Sequence, residues 1–256
     1  FTSRFRIDNG KLAWSYYMPA ECRTKMETLL APYNVHFVTG HTHIKYTNYI
    51  NDRMMEHNVA AICATWWWTG YYSNGHICKD GAPGGMGVYE FAGTDLEWYY
   101  KGYGEPRDFQ LRTYDMNNVK TFFANNSVIR NMIRYYPDRN DYVNVGNNVV
   151  YINVWGWDPE WKVSVRENGV ELNPTRVYMK DPLHTYAYDA TRVYKNSNNT
   201  YTEVLTSSNN YHLFAANASS ATSTLVIEVT DRFGNKYTET MSRPRELHDM
   251  AESSQW

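Results

Sequence analysis

Two histidines separated by one threonine, His41 and His43, follow an apolar run and a glycine in the stretch NVHFVTGHTHIKYTN, residues 34–48. Side chains two positions apart in an extended segment point to one side, so this spacing directs both imidazoles toward one metal ion or two neighbouring ones. Neutral imidazole suits Zn, Mn or Fe, and Gly40 permits the tight turn that aims the rings. Such pairs also arise by chance, and two ordinary loop histidines are the alternative reading. The other histidines lack a partner in sequence. His36 reads as a structural strand residue, and His57 and His76 as solvated or hydrogen-bonded side chains; His184 and His212 have no paired partner in sequence.

The elements that must position the pair follow from pattern. In PAECRTKMETLLAPY, Cys22, Met26, Leu29 and Leu30 fall on one helical face between Pro19 and Pro32. VHFVTG then reads as a short buried strand ending at the histidines. The apolar run VAAICATWWW, Val59 to Trp68, predicts a strand buried on both faces, with Trp66, Trp67 and Trp68 alternating sides and mainly packing in the core. KDGAPGGMG is a loop whose backbone must adopt unusual dihedrals or approach something closely. VYEF and LEWYYKG flank AGTD as a hairpin with Leu96, Trp98 and Tyr100 on one face.

From about Asp115 short alternating segments predict an all-β second half of sandwich type, with Asn168 and Gly169 as a two-residue turn and Leu225, Ile227 and Val229 pointing inward. Residues 115–148 read as a linker or an irregular lead-in to the sandwich. Trp155, Trp157 and Trp161 read as its staples. The clusters RENGVE and RPRELHD read as solvated turns and ends.

The totals describe a folded, aromatic-rich chain of 256 residues: 43% hydrophobic, 20% charged, with 23 Tyr and 9 Trp. A formal net charge of −2 supplies no positive field for nucleic acid, and no apolar run reaches the roughly 20 residues needed to cross a bilayer. The start FTSRFRIDNG has neither a signal pattern nor a Met, as expected for a piece of a longer chain. Cys22, Cys63 and Cys78 have no CxxC spacing; Cys63 reads as a small buried hydrophobe, with a Cys63–Cys78 bridge left open.

GHTH directly after an apolar strand resembles the last metal-binding motif of the calcineurin-like metallophosphoesterases. NVAAICATWWWTG, ICKDGAPGGMGVYEF and LEWYYKG look like the final strands of that catalytic domain in a bacterial branch carrying its own C-terminal β-sandwich. QLRTYD, NVWGWDPEWKV, DPLHTYAYD and STLVIEVTDRFGNKYTETM are similar to that branch's C-terminal domain. The resemblance implies an α/β remnant over residues 1–114, carrying GHTH, followed by an all-β sandwich over 115–256, β-dominated overall. It also implies two divalent or trivalent metal ions, Mn, Zn or Fe, in the intact enzyme, acting on a phosphate ester with a metal-activated hydroxide. His41 and His43 would each supply one ligand, and Trp68, leading into the glycine loop, would lie at the substrate edge. Export from the cytoplasm is implied in the same way.

The family's D-x-H, G-D-x-x-D and G-N-H-E/D motifs do not occur in residues 1–40, and YMP places Tyr17 where an H-x-P ligand is expected. A binuclear site needs about three protein ligands per metal, whereas two histidines give at most one each. The expectation is a C-terminal portion, or a degenerate member, with no catalytic residue of its own, holding no metals by itself and inactive without the missing N-terminal half. A binding or scaffold module, contacting a glycan, a protein partner or that catalytic half, is the alternative.

Overall fold

The computed structural model describes residues 5–8, 11–14, 18–73, 75–193 and 206–247. The first part comprises a hairpin of β1 (Phe5–Asp8) and β2 (Lys11–Trp14), helix α1 (Ala20–Leu30), and strands β3 (Val35–Thr39), β4 (Lys45–Asn51) and β5 (Met54–Val59). A short helix α2 (Gly70–Ser73) and the hairpin of β6 (Gly85–Ala92) and β7 (Asp95–Gly102) complete it. β5 lies centrally, parallel to β3 and antiparallel to β4. α1 forms where the periodicity places it, between its two prolines, but buries none of its residues, and Leu29 is 72% exposed.

The second part opens with β8 (Arg112–Asp115), helices α3 (Met116–Asn125) and α4 (Ser127–Tyr135), and β9 (Val149–Asn153). It continues through β10 (Lys162–Glu167), β11 (Val170–Glu171), β12 (Thr175–Val177), α5 (Pro182–His184), a π-helical segment Thr185–Val193, β13 (Leu213–Asn217), β14 (Leu225–Thr230) and β15 (Lys236–Met241). Two four-stranded antiparallel sheets result, ordered β11-β10-β14-β15 and β12-β13-β9-β8. Their inner faces meet through Val150, Ile152 and Phe214 on one side and Val165, Leu225, Ile227 and Val229 on the other. This is the expected sandwich, and the protein is β-dominated. Strand alternation explains it: Leu225, Ile227 and Val229 point inward as predicted, and the Asn168–Gly169 turn has both residues at positive φ, 49° and 80°.

The opposite face of the β9-β13 sheet is covered by helices. Met116, Val119, Phe123, Ile129 and Met132 from α3 and α4 pack with Leu183 and Ala190 against Tyr114, Tyr151 and Leu213. Residues 115–148, expected as a linker or irregular lead-in, therefore hold two capped helices. Asp115 caps α3 by accepting from Asn117 N, and Asn126 caps α4 by accepting from Val128 N and Ile129 N. The Asn-rich composition that looked like a loop supplies the second of those caps. The end expected to be solvated is also tied down: Arg243 is buried and ion-paired with Asp115 at 3.2 Å.

Val59–Trp68 is not a strand. β5 ends at Val59, and the chain coils with left-handed φ at Ala60, Ala64, Trp66 and Trp67. An uninterrupted apolar run fits a buried strand or a packed coil equally well, since periodicity is absent in both. All three tryptophans are half-exposed, at 52, 50 and 43% in order, rather than buried. All three cysteines are free, and Cys78 rather than Cys63 is the buried one. The β6-β7 hairpin and its Leu96, Trp98, Tyr100 face form as predicted. No helix among the described residues is long and apolar enough to cross a membrane.

Candidate functional site

β3 delivers the chain to Gly40, after which His41 and His43 both take left-handed backbone, φ 76° and 58°. The motif is a coil rather than an extended segment, so the two rings are set by that coil and not by strand alternation. His41 is exposed; His43 is 6% exposed. A carbonyl oxygen only accepts, so the hydrogen bond from His43 Nδ1 to Ala64 O puts a proton on Nδ1, and in the neutral ring it is Nε2 that keeps a free lone pair. Its ring stacks on Trp66 with centroids 5.4 Å apart. Between the histidines, Thr42 Oγ1 accepts from Asn58 Nδ2, which also donates to Ile44 O at 3.1 Å.

Six non-glycine residues between positions 41 and 67 have positive φ: His41, His43, Ala60, Ala64, Trp66 and Trp67. The remaining three in the described residues are asparagines, which tolerate that region. Backbone strain is thus gathered around the two histidines, where neighbouring structure must hold it.

Part of the structure that holds it is the sandwich. Lys79 N donates to His43 O at 3.0 Å, and the next residue, Asp80, accepts from the backbone N of Lys45. Asp80 is itself buried on the second part: its carboxylate lies 3.1 Å from His212 Nε2, and its carbonyl accepts from Asn153 Nδ2 and Asn210 Nδ2 at 2.8 and 2.7 Å. Burial alone would raise the Asp80 carboxyl; His212 and the backbone N–H groups of Lys45 and Ala82 outweigh it and hold the pKa below its ordinary value. A second tether runs through Thr65, next to the Ala64 carbonyl that orients His43. Thr65 Oγ1 donates to Ile77 O and so accepts from His184 Nε2 at 2.9 Å, leaving His184 Nδ1 to accept from Ser207 Oγ at 2.7 Å. That ring is neutral, and burial pushes its pKa down to about 3.

The glycine loop does approach something closely. A Cβ on Gly81, φ 80°, would overlap the Asp181 carboxylate, which also accepts from Tyr114 Oη and Asn153 Nδ2 at 2.5 and 2.9 Å. Arg112 reaches back to Gly81 O at 2.6 Å. Lys45, two residues past His43, is buried with its ammonium on Thr47 Oγ1 at 2.7 Å; burial pushes its pKa down to about 8 against the pull of Asp158 and Asp80.

A comparison of the sequence with known protein families matches the family described as the C terminal of calcineurin-like phosphoesterase over residues 56–237, more than half of the chain. The chain belongs to this family. No curated protein and no solved structure matches it. The span matched to the calcineurin-like phosphoesterase C terminus covers Asp80, His184 and His212 but begins after His41 and His43.

Whether the residues present fit the metals that calcineurin-like phosphoesterases use can be tested on donors. His43 offers a free, oriented Nε2 backed by a carbonyl, the arrangement a ligand histidine takes, and His41 is accessible. Among the described residues, however, no group of three His, Cys, Asp or Glu side chains gathers where an ion could sit. The described residues do not complete a metal site. Tyr17 lies outside the described residues.

Trp68 is flanked by the Arg192 guanidinium, 4.2 Å from its ring centroid, and by Tyr188 in a stack at 6.3 Å. The tryptophan in contact with His43 is Trp66. His36 and His57, read separately from sequence, are paired at 2.8 Å between Nδ1 and Nε2, with His57 buried and its pKa lowered by that burial to about 2. Asp80, Thr65, His184 and His212 were not legible as site residues, since their partners lie 119 and 132 positions away in the chain. The glycine density of KDGAPGG was the one signal pointing at that loop.

Proposed function

We propose that this chain is the C-terminal portion of a metal-dependent phosphoesterase that hydrolyses phosphate esters, its binuclear site completed by donors from an N-terminal catalytic half. In this reading His41 and His43 each give one ligand to a Mn, Zn or Fe ion, Trp68 borders the substrate, and the protein works outside the cytoplasm. Residues 1–114 form the end of the catalytic domain and 115–256 the sandwich that supports it, with the sandwich strand β8, Arg112–Asp115, running across that boundary. The observation that carries the reading is the pair of tethers, Asp80 to His212 and Thr65 to His184, by which the sandwich fixes the loops on either side of His43. The family match supports it from sequence.

The same tethers favour a second role within this reading, in which the sandwich acts as a scaffold for its own catalytic half. Elemental analysis with Mn, Zn and Fe, paired with hydrolysis of an aryl phosphate diester after mixing with a calcineurin-like catalytic half, tests the assignment. Metal retention and turnover that fall together in His41→Ala and His43→Ala support the enzyme. Protein that stays metal-free and inert in the mixture sinks it and leaves the scaffold.

A further inference from the structure

Trp66, Trp67 and Trp68 stand half in water on a coil in which the first two adopt φ of 56° and 61°. Left-handed backbone costs a bulky L-residue stability, and an indole left half-wet returns little of the burial that would offset it. Strain of this kind points from structure to function when it sits at a site. Here it does: one face of Trp66 lies on the His43 ring, at an interplanar angle of 28°, and the rest of the indole is open. Trp67 instead meets the edges of His76 and Tyr103, and Trp68 meets Tyr188 and Arg192.

We propose that Trp66 is a stacking platform for the organic group of the substrate, so that the preferred phosphate esters carry a flat ring, a nucleobase or the CH face of a pyranose. The inference rests on the phosphoesterase reading and narrows its substrate class. A ring laid on the open indole face has the indole between it and the His43 ring, so its phosphate would pass the edge of Trp66 to reach that histidine. A cationic headgroup is the other ligand that an aromatic surface takes. It is disfavoured because Arg192 already lies over Trp68, and Lys79 adds a second cation hydrogen-bonded through its backbone to His43.

Isothermal titration of the whole chain with uridine 5′-monophosphate, glucose 1-phosphate, glycerol 1-phosphate and phosphocholine tests this. At least one ring-bearing ester is expected to bind roughly tenfold or more tighter than glycerol 1-phosphate. The nucleotide and sugar arms identify the ring. That preference should vanish in Trp66→Ala and in Trp66→Asn, the latter chosen because asparagine tolerates the left-handed backbone, and survive in Trp67→Asn, whose ring faces His76 and Tyr103 instead. No ring preference, a preference that persists without Trp66, or tightest binding of phosphocholine overturns the inference. Uridine alone separates the two readings: Trp66-dependent binding equal to that of the nucleotide keeps the platform and removes the phosphoesterase. Equal binding of glycerol 1-phosphate and the nucleotide, abolished in His43→Ala, does the reverse.

Discussion

His212 Nε2 and the Asp80 carboxylate meet 3.1 Å apart, each side chain 1% exposed, across the junction between the GHTH-bearing part and the sandwich. Asn153 fixes the orientation of the ring in that contact. Its Nδ2 donates to Asp80 O and Asp181 Oδ2, so its Oδ1 must be the atom that meets His212 Nδ1 at 2.7 Å. The ring is thus held between an amide oxygen and the Asp80 carboxylate. Removing His212 leaves that carboxylate buried without its side-chain partner. His212→Ala is expected to cost about 3–5 kcal/mol in urea denaturation, and Asp80→Asn combined with His212→Ala clearly less than the sum of the single changes. Additive losses would show that the pair is not coupled.

Two buried histidines set the pH response. His57, with a folded pKa of about 2, and His184, with about 3, stay neutral when folded but titrate near 6.5 when unfolded. Below 6.5 the unfolded chain binds more protons, so stability is full above that pH and declines as pH falls toward the folded values. Each group contributes a slope approaching about 1.4 kcal/mol per pH unit. Urea midpoints measured from pH 7.5 to 5 should fall, and His57→Gln should lessen the slope; a flat profile over that window contradicts the assignment.

How much of this was legible depended on the range of the interaction. Local signals read true: Pro19 and Pro32 bounded α1, Asn168–Gly169 made its turn, and alternation aimed Leu225, Ile227 and Val229 inward. Val59–Trp68 did not, because hydrophobicity specifies burial and not backbone, and the chain there takes left-handed φ that no propensity for alanine or tryptophan predicts. The GHTH pair was visible as residues. What shapes it was not, since Asp80, His184 and His212 acquire meaning through contacts more than a hundred positions long, which no pattern along the chain records.

Gly81 and Gly169 share φ 80° but differ in surroundings: a side chain at Gly169 meets nothing within 4 Å, and one at Gly81 collides with Asp181. Gly169→Ala is expected to cost roughly 1 kcal/mol, the backbone term alone. Gly81→Ala should cost several times more, and Gly81→Asn should do no better, since asparagine relieves the dihedral but not the overlap. Thermal unfolding of the three variants decides it; equal shifts at the two glycines would remove the close approach.

Arg232, in the turn between β14 and β15, makes a forked pair with the fully buried Asp158, Nε at 2.7 Å and Nη2 at 2.8 Å. The guanidinium also lies 4.7 Å over Trp98, whose ring meets His57 and His36 edge-on at 4.8 and 5.2 Å. The sandwich thereby braces the β3-β5 pair that ends at the GHTH coil. Lysine keeps the charge but not the fork or the planar stack, so Arg232→Lys is expected to cost roughly 2 kcal/mol. Because the lost contact lies on one side of the molecule, hydrogen exchange should quicken in β3 and β5 while the β10-β14 ladder stays protected. Uniform acceleration in both sheets would mean that Arg232 stabilises the fold as a whole and does not specifically brace the strands that carry the histidines.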